Sequence, residues 1–121
     1  MANPPKKKGT AFETELVPSL RKVWPEAKRS EPKGALDFGD YENVNGWYIS
    51  AKKAERWSLM EWIRTVLKQK LLIDPTAPWF IVFANDRRKG LPTMVAMPLE
   101  QYIGALERLR WLQAELESRG E

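Results

Sequence analysis

The hydrophobic pattern of the chain predicts three helices. Apolar residues recur at helical spacing in residues 12–23, 59–67 and 99–116. Pro18 lies inside the first pattern and is expected to bend or shorten that helix. The second pattern is the clearest amphipathic helix in the chain, and we expect it to end near Ile73. The third helix follows a proline and carries a leucine-rich stripe.

The segments between these helices have the composition of strands. Residues 27–31 predict an edge strand, and residues 34–53 predict a hairpin. Residues 79–84 are almost continuously apolar, which favours a strand that is buried on both faces and central in its sheet. Residues 93–97 supply the last strand. The predicted order is α-β-β-β-α-β-β-α, a single α/β domain over residues 9–121.

The hairpin carries the most informative pair of residues. Its predicted strands are 34–40 and 47–53, and Asn45-Gly46 between them is the strongest short hairpin signal. Pairing these strands would bring Asp37 and Lys52 to the same edge of the sheet. A metal-dependent phosphodiesterase needs an acid and an amine in this arrangement.

Composition excludes several kinds of chemistry. The 121-residue chain has no cysteine and no histidine, so it has no disulfide, no thiolate metal site and no imidazole base or ligand. Catalysis would rest on carboxylates, Lys, Tyr, Ser or a hard metal ion held by oxygen atoms. We expect neither a membrane span nor a signal peptide, because no apolar run is long enough.

Charge is unevenly distributed along the chain. Residues 1–97 hold 17 Lys and Arg against 11 Asp and Glu, whereas residues 98–121 hold 3 against 5. A basic body suits a nucleic-acid partner, although a soluble domain that merely happens to be basic would look the same. Residues 1–8 include three consecutive lysines and predict a flexible basic arm.

Four short motifs follow one another within residues 6–116. They are Lys8–Glu13, with a Lys-Gly ahead of a helix glutamate; Arg29; Gly34–Asp40, which contains an aspartate; and Ile49–Lys52, which ends in a lysine. In this order and spacing they resemble the PD-(D/E)XK nuclease superfamily, and within it the archaeal-type and phage-encoded Holliday junction resolvases.

The resemblance implies a fold, an activity and partners. The fold would be the restriction-endonuclease-like core, with a central mixed sheet flanked by helices. The activity would be Mg²⁺- or Mn²⁺-dependent cleavage of branched or four-way DNA in the cytoplasm, that of the host if the protein is phage-encoded. A homodimer is implied because two strands must be cut symmetrically, and the surplus aromatics Trp47 and Trp111 are compatible with an interface.

The resemblance also assigns roles to residues. Asp37, Glu13 and the Ala51 carbonyl would bind the metal ion, and Lys52 would orient the attacking water or stabilise charge on the phosphate. Asp40 is expected to satisfy backbone groups in the turn, and it remains a spare acid for the site. Glu13 has a competing assignment, because it completes a Thr-x-x-Glu capping box.

Ser50 departs from the family pattern, which has a metal-binding glutamate there. A serine hydroxyl is a much poorer ligand for a hard cation. The acid could instead come from the next helix, from Glu61 or secondarily Glu55, although Glu61 also fits a capping box with Ser58. Alternatively, the site holds a metal without a third carboxylate, or it is inactive.

Several cations are candidates for contacts with phosphate groups, each with the alternative of an ordinary exposed side chain. They are Arg29, Lys8, Lys28, Lys33, Lys53, Arg87, Arg88 and Lys89. Three functions follow: a junction resolvase, a catalytically silent nucleic-acid-binding protein with the nuclease fold, or a nuclease of the same fold acting on other DNA structures.

Overall fold

The computed structural model describes residues 4–31, 38–85, 87 and 90–120, with side chains from Thr10 onward. The elements are, in chain order, α1 (Pro4–Arg21), β1 (Lys28–Arg29), β2 (Tyr41–Glu42), β3 (Tyr48–Lys53), α2 (Leu59–Ile73), β4 (Trp79–Ala84), β5 (Met94–Ala96) and α3 (Leu99–Ser118). The fold is mixed α/β, and the predicted order of elements is confirmed.

Two sheets are present among the described residues. In the larger sheet β4 lies between β3, to which it runs parallel, and β5, to which it runs antiparallel. This confirms the prediction that residues 79–84 form a central strand, and all but one of its residues are buried. The register sets Ser50 beside Ile81 and Lys52 beside Phe83.

The core lies on both faces of the larger sheet. On one face Phe12 of α1 packs in a cluster with Ile49, Ala51 and Val82. On the other face Val66 of α2 packs in a second cluster, which also contains Tyr48, Trp79, Ile81 and Phe83. The two clusters assign alternate residues of β3 to opposite faces, as the pleat of a strand requires.

The predicted hairpin is only partly correct. Turn residues after Glu42 do lead into β3, and Asn43, Asn45 and Gly46 have positive φ angles of 61°, 55° and 79°. However, Tyr41 and Glu42, which lie between the two predicted strands, form β2, and β2 pairs antiparallel with β1 in a small separate sheet. Of the predicted first strand, Asp40 donates its N–H to the Ile49 carbonyl of β3. Residues 32–37, including Asp37, lie outside the described residues.

Helix α1 starts earlier than predicted. Residues 4–8, which we assigned to a flexible arm, form its first turns, where proline is tolerated because the N–H groups there need no helical partner. Thr10 therefore lies inside the helix, and the capping box with Glu13 is wrong. Pro18 does not shorten α1 below Arg21.

Helix α3 has an unusual environment. None of its side chains, all of which belong to the described part of the chain, is buried. Its N-terminal turn is attached to β4 through Gln101, whose amide accepts a hydrogen bond from Trp79 N–H at 2.9 Å and donates one to the Trp79 carbonyl at 2.8 Å. No helix in the described residues has both the length and the apolar content needed to cross a bilayer.

Candidate functional site

Glu13 lies on α1 beside the core. The adjacent Phe12 is buried against the sheet, which fixes the position of Glu13 at the margin of that packing. Its Oε1 atom lies 3.5 Å from Arg29 Nε on β1. Arg29 therefore holds a carboxylate of its own chain, where the sequence predicted a contact with phosphate.

Asp40 forms hydrogen bonds to Ser30 and to two residues of β3 through its backbone and side chain. Its N–H donates to the Ile49 carbonyl at 2.8 Å, and its carbonyl accepts from Ser30 N–H at 2.9 Å. Its Oδ2 atom accepts a hydrogen bond of 2.7 Å from Ala51 N–H. Asp40 thus satisfies backbone groups as expected, but on the edge of β3 that faces away from β4 rather than within its own turn.

The Ala51 carbonyl faces the same edge as Asp40. In a strand the N–H and C=O of one residue point to the same side, and Ala51 N–H points to Asp40. The carbonyl that the resemblance assigns to a metal ion therefore lies on the carboxylate side of β3.

The electrostatics of Glu13 show which charges surround it. Burial raises the pKa of Glu13 above its ordinary value, and the Asp40 carboxylate raises it further. The positive charges of Arg29 and Lys52 lower it, with less effect. We call these four residues the Glu13 cluster. It contains two acids that disfavour each other's ionisation and two cations that partly compensate.

Tyr41 contacts the Glu13 cluster through the backbone of Glu13. Its hydroxyl donates a hydrogen bond of 2.7 Å to the Glu13 carbonyl. Burial raises the pKa of Tyr41, as do the charges of Asp40 and Glu13, so the phenol stays protonated and remains a donor. Sequence reasoning placed Tyr41 in a polar turn, and its aromatic side chain was the only signal of a buried position.

Lys52 and Lys53 project to opposite faces of the sheet. By alternation Lys52 shares a face with Ser50 and Tyr48, on the side of α2. Lys53 lies on the α1 side, where its Nζ atom is 5.7 Å from the centre of the Phe12 ring. Lys52 is the one whose charge acts on Glu13.

The two carboxylates proposed to replace the missing ligand lie elsewhere. Glu61 is exposed in the first turn of α2, where a negative charge interacts favourably with the helix dipole. The capping box there is not formed, because Ser58 makes no side-chain capping bond. Glu55 forms an exposed ion pair with Arg87, with 3.4 Å between Oε2 and Nε.

The predicted phosphate-binding residues are dispersed. Lys8 lies within α1, Lys53 covers Phe12, and Arg87 follows Asn85, whose Oδ1 atom accepts a hydrogen bond from Arg87 N–H at 2.8 Å. Three further candidates, Lys33, Arg88 and Lys89, are outside the described residues.

The metal-binding capacity of the described residues is limited. Among residues 4–31, 38–85, 87 and 90–120, no three acidic side chains come together as a metal site. The Glu13 cluster offers two carboxylates, and the Ala51 carbonyl lies on the Asp40 side of β3. Asp37 would be the third carboxylate, and it is outside these ranges. Ser50 is buried, with 7% of its surface exposed.

Comparison of the chain with protein-family models, with curated proteins and with solved structures gave no match.

Proposed function

We propose that the protein is a divalent-metal-dependent DNA endonuclease acting on branched DNA such as a four-way junction. The observation that carries this proposal is the Glu13 cluster: Glu13 is ion-paired with Arg29, the Asp40 carboxylate accepts a hydrogen bond from β3, and the charges of Asp40 and Lys52 act on Glu13. A divalent cation would relieve the repulsion between Glu13 and Asp40, and hard oxygen ligands are those that Mg²⁺ and Mn²⁺ prefer.

The residues have separate tasks in this proposal. Glu13 and Asp37 would hold the metal ion together with the Ala51 carbonyl, and Arg29 would keep the Glu13 carboxylate in place through their ion pair. The bound ion would polarise the scissile phosphate and lower the pKa of a water molecule. Lys52 orients that water or stabilises negative charge on phosphorus in the transition state.

A second candidate function is a nucleic-acid-binding protein without cleavage activity. One observation favours it: a buried serine stands where the family pattern has a metal-binding glutamate. Glu61, the candidate replacement for that glutamate, is exposed on α2, and its variant is part of the test.

The test is cleavage of a labelled four-way junction with Mg²⁺ or Mn²⁺, beside the variants Asp37→Asn and Glu61→Gln. The proposal predicts paired symmetrical nicks that vanish in Asp37→Asn and persist in Glu61→Gln. Tight binding without nicks in either metal would establish the silent binding protein. Equal cleavage of linear duplex would indicate a nuclease with a different target, and loss of cleavage in Glu61→Gln would mean that Glu61 is a ligand.

A further inference from the structure

Trp57 is one of two tryptophans that are exposed in the structure. The exposed fraction is 37% for Trp57 and 52% for Trp111, whereas the other four tryptophans are buried or half-buried. The guanidinium group of Arg108 lies 5.0 Å from the centre of the Trp111 ring, so a neighbour on the same helix covers one face of that indole. Trp57 lies in the loop between β3 and α2, and its surroundings are different.

The ring of Trp57 is supported by the core of the larger sheet. It packs against Phe83 in a T-shaped arrangement, with 4.8 Å between the ring centres and 83° between the ring planes. Phe83 is itself buried, with 5% of its surface exposed. A nearly perpendicular neighbour covers at most one face of the indole. A large flat side chain is therefore held against a fixed support and is still accessible to a ligand.

Hydrogen bonds hold the loop that carries Trp57. Ala54 N–H donates to the Ala84 carbonyl at 3.1 Å, and the side-chain amide of Asn85 donates to the Glu55 carbonyl at 2.9 Å. Both bonds attach the loop to the end of β4. Because the loop is already ordered, a ligand that packs on Trp57 would bind with a small loss of conformational entropy.

Trp57 lies at the carboxyl ends of two parallel strands. The pairing of β3 with β4 sets Lys52 beside Phe83, so the side chains of these two residues project from the same face of the sheet. Contact with Phe83 therefore puts Trp57 close to Lys52. Ligands of open α/β sheets bind outside the carboxyl ends of the strands. In the proposed function Lys52 acts at the phosphate group.

The charges around Trp57 favour an anionic ligand. Residues 52–64 contain four Lys or Arg against two Glu. One of these acids, Glu55, is ion-paired with Arg87 at 3.4 Å, and Arg56, next to Trp57, is exposed. Proteins bind unpaired nucleotides with this combination, in which bases stack on aromatic rings and cations contact the phosphates.

We infer that Trp57 is a stacking platform for an unpaired base of DNA, and that it favours branched or single-stranded DNA over linear duplex. A linear duplex keeps its base faces stacked against one another, whereas an unpaired base costs little to move onto a protein ring. The inference rests on the proposed function, because it names the part of the DNA that the site recognises. It involves none of the groups assigned to the metal ion.

Equilibrium binding without metal tests the platform. Fluorescence anisotropy in buffer with EDTA compares a labelled oligothymidylate, in which every base is unpaired, with a linear duplex. Trp57→Leu keeps an apolar side chain next to Phe83 but removes the indole. We expect its affinity for oligothymidylate to fall by about 5- to 150-fold. Its affinity for duplex and the salt dependence of binding should change little, because no phosphate contact is lost.

Two further variants serve as controls. Trp111→Leu removes the other exposed tryptophan and should bind both DNAs like the wild type. Trp57→Tyr retains an aromatic ring, so its affinity for oligothymidylate should stay close to that of the wild type. Stacking on a base quenches indole fluorescence, so the quenching that accompanies binding should be smaller in Trp57→Tyr although the DNA is bound. Circular dichroism of each variant verifies that it is folded.

Four results would overturn the inference. They are a wild type that does not bind oligothymidylate, an unchanged affinity for it in Trp57→Leu, an equal loss of affinity for duplex in that variant, and a Trp57→Tyr variant as weak as Trp57→Leu. The last would mean that position 57 acts through packing on Phe83. A protein that cuts junctions but gives one of these results would keep the proposed function without the platform. Stacking without cleavage would leave the platform on a silent binding protein.

Discussion

Gly39 occupies the tightest backbone position next to the Glu13 cluster. Its φ angle is +76°, and a Cβ atom there would lie 2.9 Å from the Ile49 carbonyl oxygen. This close approach allows the neighbouring Asp40 to bond β3 through both its N–H and its carboxylate. The residue is therefore glycine for two reasons, conformation and space.

Gly46 provides a matched control for this position. Its φ angle is +79°, but a Cβ atom there would meet nothing within 4 Å. Gly46→Ala should cost about 1 kcal/mol of unfolding free energy from the left-handed backbone alone. Gly39→Ala should cost about 1–3 kcal/mol more because the backbone must also move. Urea denaturation of both variants measures the difference, and equal losses would contradict the close packing of Gly39 on β3.

Glu13 should make stability depend on pH in a defined direction. Its pKa is raised in the folded protein above the ordinary 4.5, chiefly by burial and then by Asp40. Folding therefore disfavours the ionised form of Glu13. The contribution of the protonated Glu13 carboxyl to the free energy of unfolding is fully present below pH 4.5, and it is lost as pH rises through the pKa of Glu13 in the folded protein. Relative to the wild type, Glu13→Gln should gain stability as pH increases over this window.

Thermal or urea unfolding across the acid to neutral range tests this. Glu15→Gln, which removes an exposed carboxylate from the same helix, serves as the matched control. If the difference between Glu13→Gln and wild type does not change with pH, Glu13 is not destabilised by its surroundings.

At the scale of elements, the alternation of side chains along β3 puts two adjacent lysines on opposite faces of the sheet, where they have different roles. Lys52 lies on the α2 face and acts on Glu13, whereas Lys53 lies on the α1 face over Phe12. Lys52→Ala should reduce cleavage by about 10²–10³-fold with DNA binding nearly intact, as for loss of one group that stabilises transition-state charge. Lys53→Ala should weaken DNA binding modestly and retain the rate at saturating DNA. Single-turnover cleavage with wild-type rates in Lys52→Ala would remove this lysine from the mechanism.

The elements that sequence predicts well are those with long periodic patterns. Helix α2 and strand β4 end where their apolar spacing ends, at Ile73 and Ala84. Strands β1 and β2 have two residues each, too few to show alternation, so their mutual pairing could not be predicted.

In the candidate site, side chains could be predicted from sequence motifs, whereas contacts of backbone groups could not. Glu13 and Lys52 were assigned to the site by motif, and in the structure the charge of Lys52 lowers the pKa of Glu13. The bond from Ala51 N–H to Asp40 and the bond from Tyr41 to the Glu13 carbonyl both involve backbone groups. Backbone groups carry no sequence signature, so these contacts appear only in three dimensions. The apolar stripe of α3 was visible in the sequence, but its exposure was not.

At the scale of the whole molecule, charge should govern DNA affinity. The formal net charge is +4, and the basic residues lie mainly before residue 98. The logarithm of DNA affinity should fall linearly with the logarithm of salt concentration, with a slope of about −0.9 per neutralised phosphate on duplex arms. Fluorescence anisotropy with a labelled junction measures the slope. A flat dependence would exclude phosphate contacts as the main source of affinity.

The most direct test of the central claim is a Mn²⁺ titration followed by electron paramagnetic resonance, without DNA. The account predicts that the wild type binds Mn²⁺ at a site that Glu13→Gln weakens by at least about tenfold, a loss of about 1.4 kcal/mol, and that Glu61→Gln leaves unchanged. Equal Mn²⁺ affinity in wild type and Glu13→Gln would contradict a metal site at the Glu13 cluster.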